Sequence, residues 1–419
     1  MNTESFTKAC LFLFIALSPI QDFFLQGTPL RSLGASPSLL PLLAISILTF
    51  AHWLLCGNLR VNRVLLASLV YVFLITVYGF FFFGFTSHGE SLIWKSATSF
   101  TSLALLVLAV NSIDYRMNSS IRTGIYAAFG LLVLGFCFSN ANPFGLPPLL
   151  ETPILHFTSL SESRPRGLAS EPSELSITAV AIGLLSVHVT RSRWIKTLLL
   201  CLTVGILIAS GSKGGIFTLF ICVIILSAIK WHSRWYQVPA LVLLVFPLGA
   251  ILIALLPNLF PEESFAFSGT VPTRVSMLVC ALMTVSHHPF GVGLSGFLPA
   301  VATYLPNAMQ TTQSMSPIPL NFTEVTAYLT SAEMVSTKTF YFDQLMRFGV
   351  PFGVFFIMVV SKLVRRLMES KLLVMSIAVL ACSIAIATYI PGIGTFAVPI
   401  VFGVALHEVK NESNPHSGK

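Results

Sequence analysis

The chain has 419 residues, of which 55% are hydrophobic and only 10% charged, with a mean hydropathy of +0.84 and a formal net charge of +8. Soluble domains carry about 25% charged residues, so this composition excludes a soluble globular class and leaves a polytopic membrane protein. The 24 Lys and Arg are scattered among many turns without a basic run, which argues against a nucleic-acid partner and ascribes the positive excess to membrane orientation.

At roughly 20 residues per span, the length allows about twelve transmembrane helices, so the predicted fold is all-α, with residues 1–419 forming a single membrane domain. The first apolar run, 9–25, follows one lysine and lacks a small-residue cleavage signature, so it is expected to remain as a helix. Further spans are expected over 39–56, 64–83, 92–111, 123–139, 174–189, 197–210, 215–229, 238–256, 340–360, 372–390 and 392–406. Within 64–83, the run Phe80 to Phe83 reads as lipid-facing or packed core. The seven cysteines form no CxxC pair and lie mostly in apolar stretches, so neither a disulfide framework nor a zinc site is expected.

An even number of spans puts both termini on one side, and that side receives sixteen of the 24 basic residues, which makes it cytoplasmic. Two long connections then face outward, 140–173 and 257–339. The first is proline-rich, predicting an ordered irregular loop. The second continues in aromatic and aliphatic residues instead of a charged or Ser/Gly tract, which argues for function over disorder. It opens with apolar residues at helical spacing, Val275, Leu278, Leu282 and Val285, predicting a helix over Thr273–Ser286 in the membrane interface. The spans themselves carry almost no midplane charge, which disfavours an ion-coupled transporter.

Five motifs stand out along the chain. Arg164-Pro165-Arg166-Gly167 precedes Glu171-Pro172-Ser173-Glu174, where Ser173 is placed to cap the next span. Paired guanidiniums suit a diphosphate; the plainer reading is pairing with Glu162, Glu171 or lipid headgroups. Ser210-Gly211-Ser212-Lys213-Gly214-Gly215 is a tight turn, read either as an anion nest with an added charge or as a bare turn with a snorkelling lysine. Gly291-Val292-Gly293-Leu294-Ser295-Gly296 matches GxGxxG literally but follows no strand, so it reads as a sharp turn needing positive φ or close backbone approach. His287 and His288 are adjacent and point about 100° apart on a helix, which disfavours joint chelation of a metal. Asp343 and Arg347, spaced i, i+4, are expected to pair with each other.

Taken in order, Arg164-Pro165-Arg166-Gly167, Ser210–Gly215, Arg274, His288-Pro289-Phe290-Gly291-Val292-Gly293 and Arg347-Phe348-Gly349-Val350-Pro351-Phe352-Gly353 resemble the O-antigen ligase and Wzy-type polymerase family of bacterial envelope glycosyltransferases. The resemblance covers roughly residues 160–360. It implies a glycosyltransferase that moves a glycan from an undecaprenyl-diphosphate-linked oligosaccharide at the periplasmic face, with no metal and no cofactor. Its implied partners are membrane lipid and, for a polymerase, a chain-length regulator.

The leading expectation is polymerisation of O-antigen or a related surface polysaccharide. The alternatives are ligation to lipid A-core and, in another class, a flippase for lipid-linked sugars. The resemblance places the protein in a bacterial inner membrane with Arg164, Arg166 and Arg274 at the diphosphate; with them Lys338 and Glu171 complete the expected catalytic set, and Lys213, Glu174, His288, Gly291, Gly293, Asp343 and Arg347 are expected around the substrate. Lys213 stands where many members have Arg, and Lys338 where ligases carry a His. Physical chemistry points the same way: a diphosphate leaving group gathers charge as the glycosidic bond breaks, so fixed cations favour the transition state, and the acceptor hydroxyl needs a base such as Glu171 or Glu174.

Overall fold

A computed structural model describes residues 3–24, 36–56, 63–116, 119–156, 164–212, 214–215, 218–219, 221–222, 270–317, 319–330, 335–390 and 396–413. These residues form thirteen helices and one two-residue hairpin, Thr86–Ser87 with Glu90–Ser91. Five helices are long and apolar enough to cross a membrane: α3 (Arg63–Phe83), α4 (Leu92–Arg116, of which Leu92–Ile113 qualifies), α5 (Ser119–Cys137), α6 (Pro172–Val189) and α11 (Phe340–Glu369). The chain is therefore an all-α membrane protein. The spans expected over 215–229 and 238–256 fall almost wholly outside the described residues, as does Lys213.

The bundle is built around α6, whose side chains are buried on every face from Leu175 to Val187. A helix apolar all round belongs in an interior, and α6 packs on α5, on α7 (Arg193–Ala209), on α12 (Leu373–Thr388) and on α13 (Ala397–Ser413). α1 (Thr3–Ala16) lies on α5 and on α2 (Leu39–Cys56). Together they enclose a single large core running from Phe14 through Leu175 and Val379 to Val404.

The α6 start differs from expectation. Glu171 takes the cap position with an extended backbone and Pro172 opens the helix, while Ser173 lies inside it and its hydroxyl donates to Glu171 Oε2 at 3.3 Å. Proline at a first turn loses no bond, because its missing N–H would have no helical partner there.

The connection 257–339 is largely helical in its described part. α8 (Thr270–His287) meets the expected helix closely, and α9 (Gly293–Ser314) and α10 (Thr323–Thr330) follow it, two helices whose bounds the sequence did not mark. Pro299 and Pro306 sit inside α9. Each removes one backbone bond, yet Phe297, Leu298, Val301 and Leu305 bury their side chains in a second core with Met277, Cys280 and Met346, and that burial carries the helix past both prolines. In α3, Phe80 and Phe83 pack against this second core while Phe81 and Phe82 remain exposed, so the phenylalanine run serves both expected purposes.

α8 and α9 form a hairpin packed against α3 and α11, and its tip is the turn Pro289–Val292. There α11 breaks. Gly349 adopts φ 67° and ψ −164°, and a Cβ on it would lie 2.2 Å from the Pro289 carbonyl oxygen. Gly291, at φ 88°, is equally confined, its missing Cβ falling 2.4 Å from the Arg347 carbonyl oxygen. The interrupted backbone finds its partners in the turn: Val350 N–H donates to Pro289 O at 2.8 Å and Val292 N–H to Met346 O at 3.1 Å. Tyr71 of α3 closes the junction, its hydroxyl donating to Phe290 O and Phe348 O at 3.1 and 2.9 Å. Irregular backbone among membrane helices is tolerated where protein satisfies it, as here.

Candidate functional site

Of the expected catalytic residues, Arg274, Lys338 and Glu171 come together at the end of the bundle where α11 begins, and Arg164 lies at the turn beside them. Arg164 is exposed and crosses the turn after α7, its Cδ 3.5 Å from where a Cβ on Gly211 would stand. Across the same turn, the position of a Cβ on Gly214 lies 3.1 Å from the Tyr389 ring at the end of α12. One residue back, the Thr388 carbonyl accepts from Arg274 Nη1 at 3.3 Å. Arg274 lies in the first turns of α8, facing the carboxylates of Glu171 and Glu324; burial pushes its pKa down, and the two carboxylates act against that.

Lys338 completes the cluster. Its Nζ lies 2.8 Å from Glu324 Oε1, and it also hydrogen-bonds Tyr328. Burial acts to lower its pKa, but the hydrogen bonds and the Glu324 charge outweigh it and hold the ammonium above its ordinary range. Its backbone adopts φ 61°, a left-handed conformation that costs a lysine about 1 kcal/mol or more and persists only where neighbours impose it. The neighbours are visible. Asp343 accepts from Thr337 N–H at 2.7 Å and from Ser336 Oγ at 2.9 Å, and Ser336 Oγ accepts from Lys338 N–H at 3.0 Å. Asp343 thus builds the turn that presents Lys338, and it also interacts by charge with Arg347, as expected; the Arg347 guanidinium stacks over the Phe297 ring at 4.4 Å, with Nε buried and without a hydrogen-bond partner.

Arg166 takes no part in the cluster. It is buried against Glu151, with Nη2 at 2.7 Å from Oε2 and Nε at 3.4 Å from Oε1. Burial pushes the Glu151 carboxyl up, yet the Arg166 hydrogen bond and charge, with His156 and the Asn140 N–H, hold it below the ordinary carboxylate range. His156 Nε2 bonds the Gly167 carbonyl at 3.0 Å, and burial, then the Arg166 charge, lower its pKa. These contacts make Arg166 the anchor of the irregular loop before α6, with Glu151 as its partner; the expected partner Glu162 lies outside the described residues. Glu174 is likewise buried and accepts a hydrogen bond from Ser170 Oγ, which faces it inward beneath the loop.

The Ser210–Gly215 turn satisfies part of its own backbone: Ser210 Oγ accepts from Ser212 N–H at 3.4 Å and Ser212 Oγ from Gly215 N–H at 3.5 Å. Those two N–H groups are therefore not offered to an anion.

His288, Gly291, Gly293 and Arg347 belong to the opposite end of α8. Fourteen residues of helix separate His288 from Arg274, about 21 Å. The literal GxGxxG is a turn, with Gly291 and Gly293 at positive φ. His288 Nε2 lies 3.2 Å from the Tyr304 hydroxyl, and with Ile75, Tyr78 and Phe290 it lines a cavity of about 240 Å³ distinct from the cationic cluster.

Glu324, Tyr328 and Thr273 escape the sequence reading. Only the helix start leaves a signal: Asn321 stands three residues before Glu324, a pattern that opens helices, and Asn321 Oδ1 accepts from Thr323 N–H at 2.9 Å. No spacing rule connects Glu324 to Lys338.

No family model matches the chain. Among curated proteins it is similar to an uncharacterised 49.5 kDa protein in the cps region of Klebsiella pneumoniae, with 27% identity over 372 residues that cover 86% of this chain and 82% of that relative.

Proposed function

We propose that this membrane protein acts in surface polysaccharide biosynthesis as a Wzy-type polymerase, moving a growing glycan from undecaprenyl diphosphate onto the next lipid-linked repeat unit at the periplasmic face. The cps-region relative supports the broader role. The observation that carries the finer reading is the convergence of Arg164, Arg274 and Lys338 from three separate stretches of chain, with Glu171 and Glu324 among them.

In the reaction, the bond from the anomeric carbon to the diphosphate oxygen breaks and its electron pair stays with the diphosphate. An acceptor hydroxyl forms the new glycosidic bond and releases its proton to a base. Arg274, half-buried, interacts with developing negative charge in a low dielectric, where a fixed cation is worth most. Arg164 is exposed and suits a more distal phosphate oxygen. Lys338 is a permanent cation at neutral pH, so its role is electrostatic and it cannot accept the hydroxyl proton. Glu171, which faces Arg274 at the start of α6, is the carboxylate assigned to that proton.

The test is synthesis by purified protein supplied with a lipid-linked repeat unit from its own host. A ladder of products, lost in Arg274→Ala and Lys338→Gln, is expected. A full-length ladder from an Arg164→Ala/Arg274→Ala/Lys338→Ala protein would overturn the reading.

A further inference from the structure

The Arg166–Glu151 and Lys338–Glu324 pairs are built differently. Glu151 and Arg166 have side chains 17% and 9% exposed, and Glu151 also accepts from the Asn140 N–H. Glu324 and Lys338 are 34% and 29% exposed. Glu324 sits on α10, a helix of eight residues anchored in the second core through Val325 and Tyr328, and its second oxygen accepts from Thr273 Oγ1 at 3.2 Å. Thr273 adjoins Arg274, so one carboxylate spans Lys338 on one side and faces Arg274 on the other. A short helix with few buried anchors opens more readily than the core helices around it.

We propose that Glu324 is an internal counter-anion, whose carboxylate occupies the place between Lys338 and Arg274 that a phosphate-class ligand takes, so that the anion binds by displacing Glu324 and swinging α10 aside. The identity of that anion as a lipid diphosphate rests on the function proposed above; the competition itself does not. Glu324 is on this account a positioning residue. It keeps two cations from repelling one another across a shared site, aligns the Lys338 ammonium, and yields to a ligand of higher charge. Glu171, which faces Arg274 and accepts from Ser173 Oγ at 3.3 Å, is on this account not the bridging group and stays in place.

Isothermal titration of the full-length protein in detergent with inorganic pyrophosphate, and separately with farnesyl diphosphate, tests the competition without any need for polymer synthesis. Glu324→Gln is expected to bind both anions more tightly than wild type, by roughly three- to tenfold for removal of a partly exposed competing charge. Adding Lys338→Ala should abolish the gain. Glu171→Gln removes the same charge from the same cluster and is expected to have a smaller effect. Equal tightening by Glu171→Gln would show that net charge alone is at work, and unchanged or weaker binding by Glu324→Gln would show that Glu324 does not compete; either result overturns the proposal. Should Glu324→Gln fail to fold, Thr273→Val keeps the carboxylate but loosens its hold, and must tighten binding in the same direction for the proposal to stand.

Discussion

Arg166 separates a structural from a catalytic arginine. Arg166→Ala leaves the Glu151 carboxylate buried without its guanidinium. Breaking a buried pair by removing one partner costs about 3–5 kcal/mol. Here Glu151 is 17% exposed and the second contact is long, at 3.4 Å, so about 2–3 kcal/mol is the better expectation. The assay is thermal unfolding in detergent, with Arg166→Ala, Glu151→Ala and the double variant compared. The double variant should lose less than the two singles together, because it leaves neither charge uncompensated.

Acid supplies an independent check with a definite sign. Glu151 and His156 both have folded pKa values below their ordinary ones. For such groups the stabilisation is complete above the unfolded pKa and is lost as pH falls through the folded one. Wild-type stability should therefore decline as pH drops below about 6.5 through His156, and further below about 4.5 through Glu151, and Glu151→Ala should remove the second phase. An Arg166→Ala protein with wild-type unfolding temperature and no polymer output would refute this reasoning and return Arg166 to the substrate.

Other outcomes follow from the same geometry. Arg274→Ala should lower polymer output by a factor on the order of 100, with Arg274→Lys a poor substitute because a point charge lacks the planar fork; length analysis of the products reads both. Lys338→Arg should keep part of the activity and Lys338→Gln lose most of it, with no lysine-dependent rise in the rate near neutral pH; an unaffected Lys338→Gln protein removes the lysine from the mechanism. Gly349→Ala, which drives a Cβ to 2.2 Å from the Pro289 oxygen at φ 67°, should cost about 3 kcal/mol or more and reduce the yield of folded protein, measured by size-exclusion chromatography after extraction. Reporter fusions after Arg63, Lys196 and Lys371 should register cytoplasm and a fusion near Gln310 periplasm; a cytoplasmic Gln310 places the cationic cluster on the wrong side for the proposed donor.

Helices that announce themselves by composition were legible in the sequence: α3, α5, α6 and α12 lie within a few residues of their expected positions. α9 was hidden because Pro299 and Pro306 break local propensity, and only tertiary burial against α3 and α8 overrides them. In the site, the types of residue were readable and the partners were not. Arg164 and Arg166 look alike in Arg-Pro-Arg, yet one lies across Gly211 and the other is held by Glu151, partners that are distant in sequence and carry no local signal. Glu324 lies fourteen residues before Lys338, a separation for which no local periodicity predicts contact. His288 and Arg274 appeared to share a face because both lie in one connection; a helix of 18 residues holds them apart.

The broken α11 also bears on biogenesis. Residues 289–292, which receive the loose backbone bonds at Gly349, leave the ribosome before α11 does, and Tyr71 of α3, which clamps both, leaves earlier still. The α8–α9 hairpin is thus available as a template when α11 arrives, and α11 can partition from the insertion machinery directly onto it, its unpaired peptide groups never facing lipid. Interrupting synthesis or transposing segments so that α11 emerges first would leave that kink without partners, exposed to membrane quality control.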